Sequence, residues 1–141
     1  MLKGIPSIIS PELLKILMEM GHGDEIVIAD GNFPGASHAK MLVRADGHGV
    51  PELLEAILKL MPLDSYANNV YLMQTMDCDK DLEIPIWDEY KKIAAKHTDK
   101  APEMVDRFDF YEQAKKAYAV IATGETAIYA NVILKKGVVV E

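Results

Sequence analysis

The 141-residue chain holds a single cysteine, Cys78. With no second thiol it closes no internal disulfide and offers no paired-thiol metal site, a usage that fits a reducing cytosol. Positive charge is scarce: 15 Lys and Arg face 22 Asp and Glu, for a formal net charge of −7. An acidic surface without a Lys/Arg run repels phosphate backbones and anionic lipid, so neither nucleic acid nor a membrane is expected as a partner. No apolar run approaches the roughly 18–20 residues of a membrane span. Met1 to Pro6 lacks the apolar stretch of a signal peptide, and the expected location is the cytoplasm. Aromatics are only 7% of the chain, so within the 50% that is hydrophobic, Leu, Ile, Val and Met must fill most of the core. Linkers, repeats and low-complexity stretches are also missing, and one domain over residues 1–141 is expected.

Several site signatures are absent too. Gly21-His22-Gly23 and the glycines around Asp46 make neither GxGxxG nor GxxxxGK[ST]. There is no GxSxG elbow for a nucleophilic serine. His22, His38, His48 and His97 form no HxxxH or HExxH pair, and none neighbours Cys78 in sequence. A zinc site needs three or four converging ligands. No metal is expected.

What is present alternates between strand and helix patterns. Ser10 is a good N-cap, followed by Pro11 and Glu12 in the first turn. Leu13, Leu14, Leu17 and Met18 make a stripe at helical spacing, and Gly21 ends the helix. Residues 25–30 are mostly apolar and β-branched, which predicts a strand buried on both faces. Residues 31–38 read as a loop, 41–44 as a strand, and 51–61 as a helix stopped by Pro62. A strand over 70–76, a charged loop over 77–85 and an amphipathic helix over 86–97 follow. A brief extended piece at 104–107 precedes a last helix over 108–116. Strands are predicted over 117–122 and 127–134, joined by the Thr123-Gly124-Glu125 turn, with a short terminal one at 138–140. The pattern predicts an α/β fold: a three-layer α/β/α sandwich on a mixed, mostly parallel central sheet.

In such sheets ligands gather beyond the carboxyl ends of the strands. Asp30 sits at one such end, where it either caps the turn or points into a crevice. His22, flanked by two glycines, is open to a ligand. An imidazole with an ordinary pKa near 6.5 can give and take protons at neutral pH, or it can merely satisfy the last carbonyls of the preceding helix. Strand alternation would put Tyr129 and Asn131 on one face. A phenol and an amide there suit hydroxyl recognition, or simply form a wetted edge. Arg107 next to Asp106 reads equally as a surface ion pair.

These pieces together resemble a known family. The opening Leu2-Lys3-Gly4-Ile5-Pro6, Ser10-Pro11-Glu12-Leu13-Leu14 and the stretch Met20 to Asp30 are similar to the RbsD/FucU family, which joins L-fucose mutarotases and ribose pyranases. Arg44-Ala45-Asp46-Gly47, Pro62-Leu63-Asp64-Ser65-Tyr66, Arg107 to Glu112, Ala122 to Glu125 and Tyr129 to Gly137 extend the likeness over nearly the whole chain. It departs at Ala130, where the fucose branch usually has glycine and the ribose branch alanine.

The resemblance implies a cofactor-free isomerase that exchanges the anomers of L-fucose or a related monosaccharide. It implies His22 as acid/base, with Asp64 and Tyr111 beside it. It implies sugar binding by Asp30, Arg107, Tyr129 and Asn131, with an apolar contact from Met73. It further implies a homo-oligomer, commonly a decamer of two pentameric rings, whose site a neighbouring subunit completes. In that scheme His22 serves one oxygen, Asp64 or Tyr111 the other, and Asp30 orients His22 or holds a hydroxyl. Pyranose–furanose exchange of D-ribose, non-catalytic sugar binding and a purely structural oligomer are the competing expectations.

Overall fold

The computed structural model describes all residues 1–141. Six strands form one sheet: β1 (Glu25–Ala29), β2 (Leu42–Ala45), β3 (Val70–Met73), β4 (Glu103–Val105), β5 (Ala119–Thr123) and β6 (Val132–Lys135). Their order is β2-β5-β1-β6-β3-β4. All run parallel except β6, which lies antiparallel between β1 and β3. Helices α1 (Pro11–Glu19), α2 (Gly35–His38), α3 (Val50–Leu60), α4 (Pro85–Ala95) and α5 (Arg107–Lys116) complete the fold.

Alternation along the strands divides the core between two faces. Ile26, Ile28, Leu72, Ile121 and Leu134 face α1, α3 and α4 in a cluster of 26 buried residues. Val27, Ala29, Val120 and Ile133 face the opposite way, under Phe110 and Ala114 of α5. Helices thus cover both faces of the expected mixed, mostly parallel sheet. Ser10 caps α1 as expected, accepting from the Leu13 N–H at 3.1 Å, and Asp106, which sequence reading missed as a cap, starts α5 by accepting from the Phe108 N–H at 3.1 Å.

Four expectations change. Gly35–His38 is a short helix rather than loop. Residues 138–140 form no strand. Met18 is 79% exposed while Ile16 is buried; α1 docks through the i, i+3, i+4 set Leu13, Ile16 and Leu17, and Met18 lies about 100° further round the helix than Leu17, outside that seam. The strand expected over 127–134 is shortened to Val132–Lys135, and it does not pair with β5, because β1 lies between them. The reason is that the backbone before β6 is bound by side chains. Ala127 N–H and Ala130 N–H donate to the Glu125 and Asp30 carboxylates, and the carbonyls of Tyr129 and Ala130 accept from Trp87 and Tyr90. Those four groups are not available to a ladder.

The reversed β6 links the two ends of the sheet. Its first residue follows Asn131 at the carboxyl edge of the parallel strands. Its last precedes Lys136 at their amino edge.

Candidate functional site

The carboxyl edge holds an open pocket of about 340 Å³ whose wall includes Asp30, Met73, Arg107, Tyr111, Tyr129 and Asn131. Six of the eight residues singled out from the sequence therefore meet in one place. Four parts of the chain deliver them: Asp30 after β1, Met73 at the end of β3, Arg107 and Tyr111 one turn apart on α5, and Tyr129 and Asn131 just before β6.

Asp30 is 6% exposed. Its Oδ1 accepts from Asn32 N–H at 3.0 Å and its Oδ2 from Ala130 N–H at 3.2 Å. Its own N–H donates to Asn131 Oδ1 at 2.7 Å. Asp30 therefore closes the turn and also borders the pocket. Burial pushes its carboxyl above the usual range, against the opposing pull of the Ala130, Asn32 and Phe33 N–H groups.

Arg107 is not in a surface ion pair. Its Nε donates to Tyr111 Oη at 3.1 Å and its Nη1 to Met76 Sδ at 3.4 Å, while the guanidinium stacks on Phe108 and Tyr111. Because Arg107 supplies the donor, the Tyr111 O–H remains free to donate elsewhere.

Tyr129 and Asn131 do not share a strand face. Tyr129 has a left-handed backbone, φ 52°, within an irregular segment. Its phenol donates to Asp79 Oδ2 at 2.6 Å and accepts from Met76 N–H at 3.3 Å. The bond to Asp79 holds the phenol proton on, above the ordinary tyrosine range. Asp79, Met76, Phe33, Asn32 and Ile128 also line the pocket, and sequence reading missed them. Within the charged loop nothing local separates Asp79 from Asp77 or Asp81. Only the fold brings it to Tyr129.

His22 and Asp64 lie elsewhere. His22 precedes β1, and Asp64 follows the Leu63–Lys136 bridge that continues β6, so both sit at the amino edge of the sheet. The five residues of β1 alone span roughly 13 Å between their ends at about 3.3 Å per step. Within one chain His22 is therefore not beside Asp30, Arg107 or Asn131, and Asp30 does not orient it.

Asp64 does. His22 Nε2 lies 3.0 Å from Asp64 Oδ1, and Tyr66 packs beside the imidazole with ring centroids 5.6 Å apart. The His22 hydrogen bond holds the Asp64 carboxyl below the usual range, so it is ionised and only accepts. The Nε2 must then carry the proton, and the half-exposed ring offers Nδ1 as an open acceptor. The tight turn that presents His22 uses Gly23 at φ +87°, a conformation side chains avoid. His22 does not cap α1, because Lys136 Nζ donates to the Leu17 and Met20 carbonyls at 2.8 and 2.5 Å.

The RbsD / FucU transport protein family matches residues 3–139. A fucose mutarotase of Danio rerio is 54% identical over 98% of this chain and 94% of its own length. Among solved structures, the fucose mutarotase of Streptococcus pneumoniae in complex with L-fucose superposes with TM-score 0.94 at 54% identity, over 99% of this chain and all of that one. Bacillus subtilis RbsD complexed with D-ribose gives TM-score 0.79 at 25% identity, over 99% of this chain and all of that one. The chain belongs to the RbsD/FucU family and is an enzyme of the isomerase class.

Proposed function

We propose that this protein exchanges the α and β anomers of L-fucose by acid/base-assisted ring opening and closure. The observation that carries this reading is the Asp64-held imidazole, in a chain whose opposite edge is built for hydroxyl groups. Anomer exchange removes the proton from the anomeric hydroxyl, protonates the ring oxygen as the C1–O5 bond breaks, turns the aldehyde and reverses both transfers. Nothing is oxidised and no group leaves, so the chemistry calls for no cofactor. His22 Nδ1 takes one proton. The Tyr111 O–H, with its oxygen held by Arg107, gives the other. Asp64 fixes the ring and tautomer of His22. Asp30, Arg107, Tyr129 and Asn131 hold the sugar hydroxyls, and Met73 packs on its apolar face. Each positioned acid or base is worth about 10²–10⁴-fold.

The two groups cannot serve one sugar within one copy, so the working site is shared. The amino edge of one copy, with His22, Asp64 and the 82%-exposed Tyr66, docks on the carboxyl edge of the next, where Phe108 and Ile128 stand 64% and 51% exposed. Such a contact joins different surfaces of identical chains, so it propagates head to tail and forms a ring where the rotation closes. We infer a decamer of two pentameric rings, acting in the cytoplasm. Light scattering on the purified protein tests the mass. A monomer that exchanged L-fucose at full rate would overturn the shared site.

Saturation transfer between the anomeric proton signals of L-fucose tests the activity. Faster exchange with protein than without is expected, and equal rates overturn the proposal. Ala130 favours a second reading, pyranose–furanose exchange of D-ribose, which the same measurement on that sugar decides.

A further inference from the structure

Two side chains that do not line the pocket bind the backbone of its wall. Helix α4 carries Trp87 and Tyr90 one turn apart, on the same face. The Trp87 indole N–H donates to the Tyr129 carbonyl at 2.8 Å, and the Tyr90 hydroxyl donates to the Ala130 carbonyl at 2.7 Å. Tyr90 is fully buried. Burial also keeps its proton on, so it acts only as a donor here. From the other side, the Asp30 carboxylate accepts the Ala130 N–H at 3.2 Å. Between these anchors Tyr129 adopts φ 52°. Residues with a Cβ avoid that region, and they hold it only where surrounding contacts over-determine it. If Tyr129 relaxed to an ordinary conformation, its side chain would leave its present direction, and the phenol would leave Asp79 and Met76.

We propose that Trp87 and Tyr90 are positioning residues of the sugar site: their bonds to two successive carbonyls lock Tyr129 in its left-handed conformation and so aim its phenol, as a hydrogen-bond acceptor, into the pocket. The phenol gives its proton to Asp79 at 2.6 Å. Met76 N–H occupies one lone pair of its oxygen at 3.3 Å, and the other can accept from a sugar hydroxyl. The lock therefore sets affinity for the sugar rather than the proton-transfer step. This rests on the proposed sugar site, while the lock itself is a property of the loop that can be read without any sugar.

The test uses Tyr90→Phe and Trp87→Phe, which delete one donor each and keep an aromatic ring. Amide hydrogen exchange at Ala130 reads the lock directly. Each variant is expected to speed it about tenfold or more, the scale of one lost buried hydrogen bond. The KM for L-fucose should rise about three- to tenfold with the saturated exchange rate little changed. In a Tyr129→Phe background, which lacks the aimed hydroxyl, the same substitutions should leave KM where Tyr129→Phe alone puts it. Unchanged Ala130 exchange overturns the proposal. So does an equal KM rise in both backgrounds, which marks a general packing loss. Should Tyr90→Phe fail to fold, Trp87→Phe, at a half-buried site, decides alone. If the unaltered protein leaves L-fucose exchange unaccelerated, the proposed function falls, and the Ala130 arm still decides the lock.

Discussion

Asp30 and Asp64 are buried to nearly the same degree, 6% and 4% exposed, yet their acidities move in opposite directions. Asp30 sits at the carboxyl edge of the sheet among neutral N–H donors, and desolvation dominates. Asp64 sits at the amino edge against one imidazole, and the partner dominates. The two edges are built differently throughout. At the carboxyl edge, Asp30, Asn131, Tyr129 and Arg107 are tied by bonds from α4, α5 and the neighbouring loops. At the amino edge, one hydrogen bond holds a half-exposed ring. The first arrangement suits recognition, which needs fixed groups around several hydroxyls. The second suits proton transfer, which needs one open nitrogen with a defined tautomer.

If the division of labour is right, His22→Ala removes most of the rate and little else. Anomer exchange should fall about 10²–10⁴-fold, while L-fucose binding holds and the only stability lost is what the Asp64 bond supplies. A sharper version mixes two inactive proteins. His22→Ala keeps an intact pocket edge, and Arg107→Ala keeps an intact imidazole edge. After dissociation and reassembly together, the mixture should exchange L-fucose faster than either variant alone. No recovery would mean that the opposite edges do not act on one sugar.

Asp64→Asn ranks next. An amide can still touch His22 but does not enforce the same tautomer, and loss of the charged partner should cost roughly ten- to hundredfold in saturated rate. KM should stay put, since Asp64 touches no sugar in this scheme. A rise in KM with an unchanged rate would move Asp64 to the binding side. A smaller, indirect effect is expected at Gly137. A Cβ there would stand 2.4 Å from the Leu63 carbonyl oxygen and 3.0 Å from Asp64 Cα. Gly137→Ala must therefore push the segment that carries Asp64, and exchange should drop several-fold with the pocket edge, read by L-fucose binding, unaffected.

Much of this was legible before folding. The cap at Ser10, the doubly buried β1 and the alternation of strands with helices follow from local chemistry, and they led to the sheet and its layers. The residues near both edges were also named in advance. What sequence could not carry was distance. His22 and Asp30 are eight positions apart and look like neighbours, but β1 runs between them and sends them to opposite edges. Tyr129 was misplaced for a related reason. Its apolar surroundings read as strand, whereas bonds from Trp87 and Tyr90, some forty residues away, take the backbone out of the ladder. Asp79 stayed hidden because its significance is a partner fifty residues on.

The smallest expected effect tests the contrast between Asp30 and Asp64, through stability against pH. An unfolded aspartate titrates near 3.9. Asp64 lies below its ordinary value in the fold, so its ionised form is favoured there. Its contribution is full above about pH 3.9 and is lost as pH falls through the lower, folded value. Asp30 lies above its ordinary value, so the fold disfavours its ionised form. That disadvantage grows as pH rises from about 3.9 through the raised value, and then levels off. The difference in Tm between the unaltered protein and Asp64→Asn should therefore widen as pH rises through the acid range. The same difference for Asp30→Asn should narrow. Both changes are read by calorimetry between pH 3 and 7 at fixed protein concentration. If the two differences move in the same direction, burial and the His22 bond are not what separates these carboxylates.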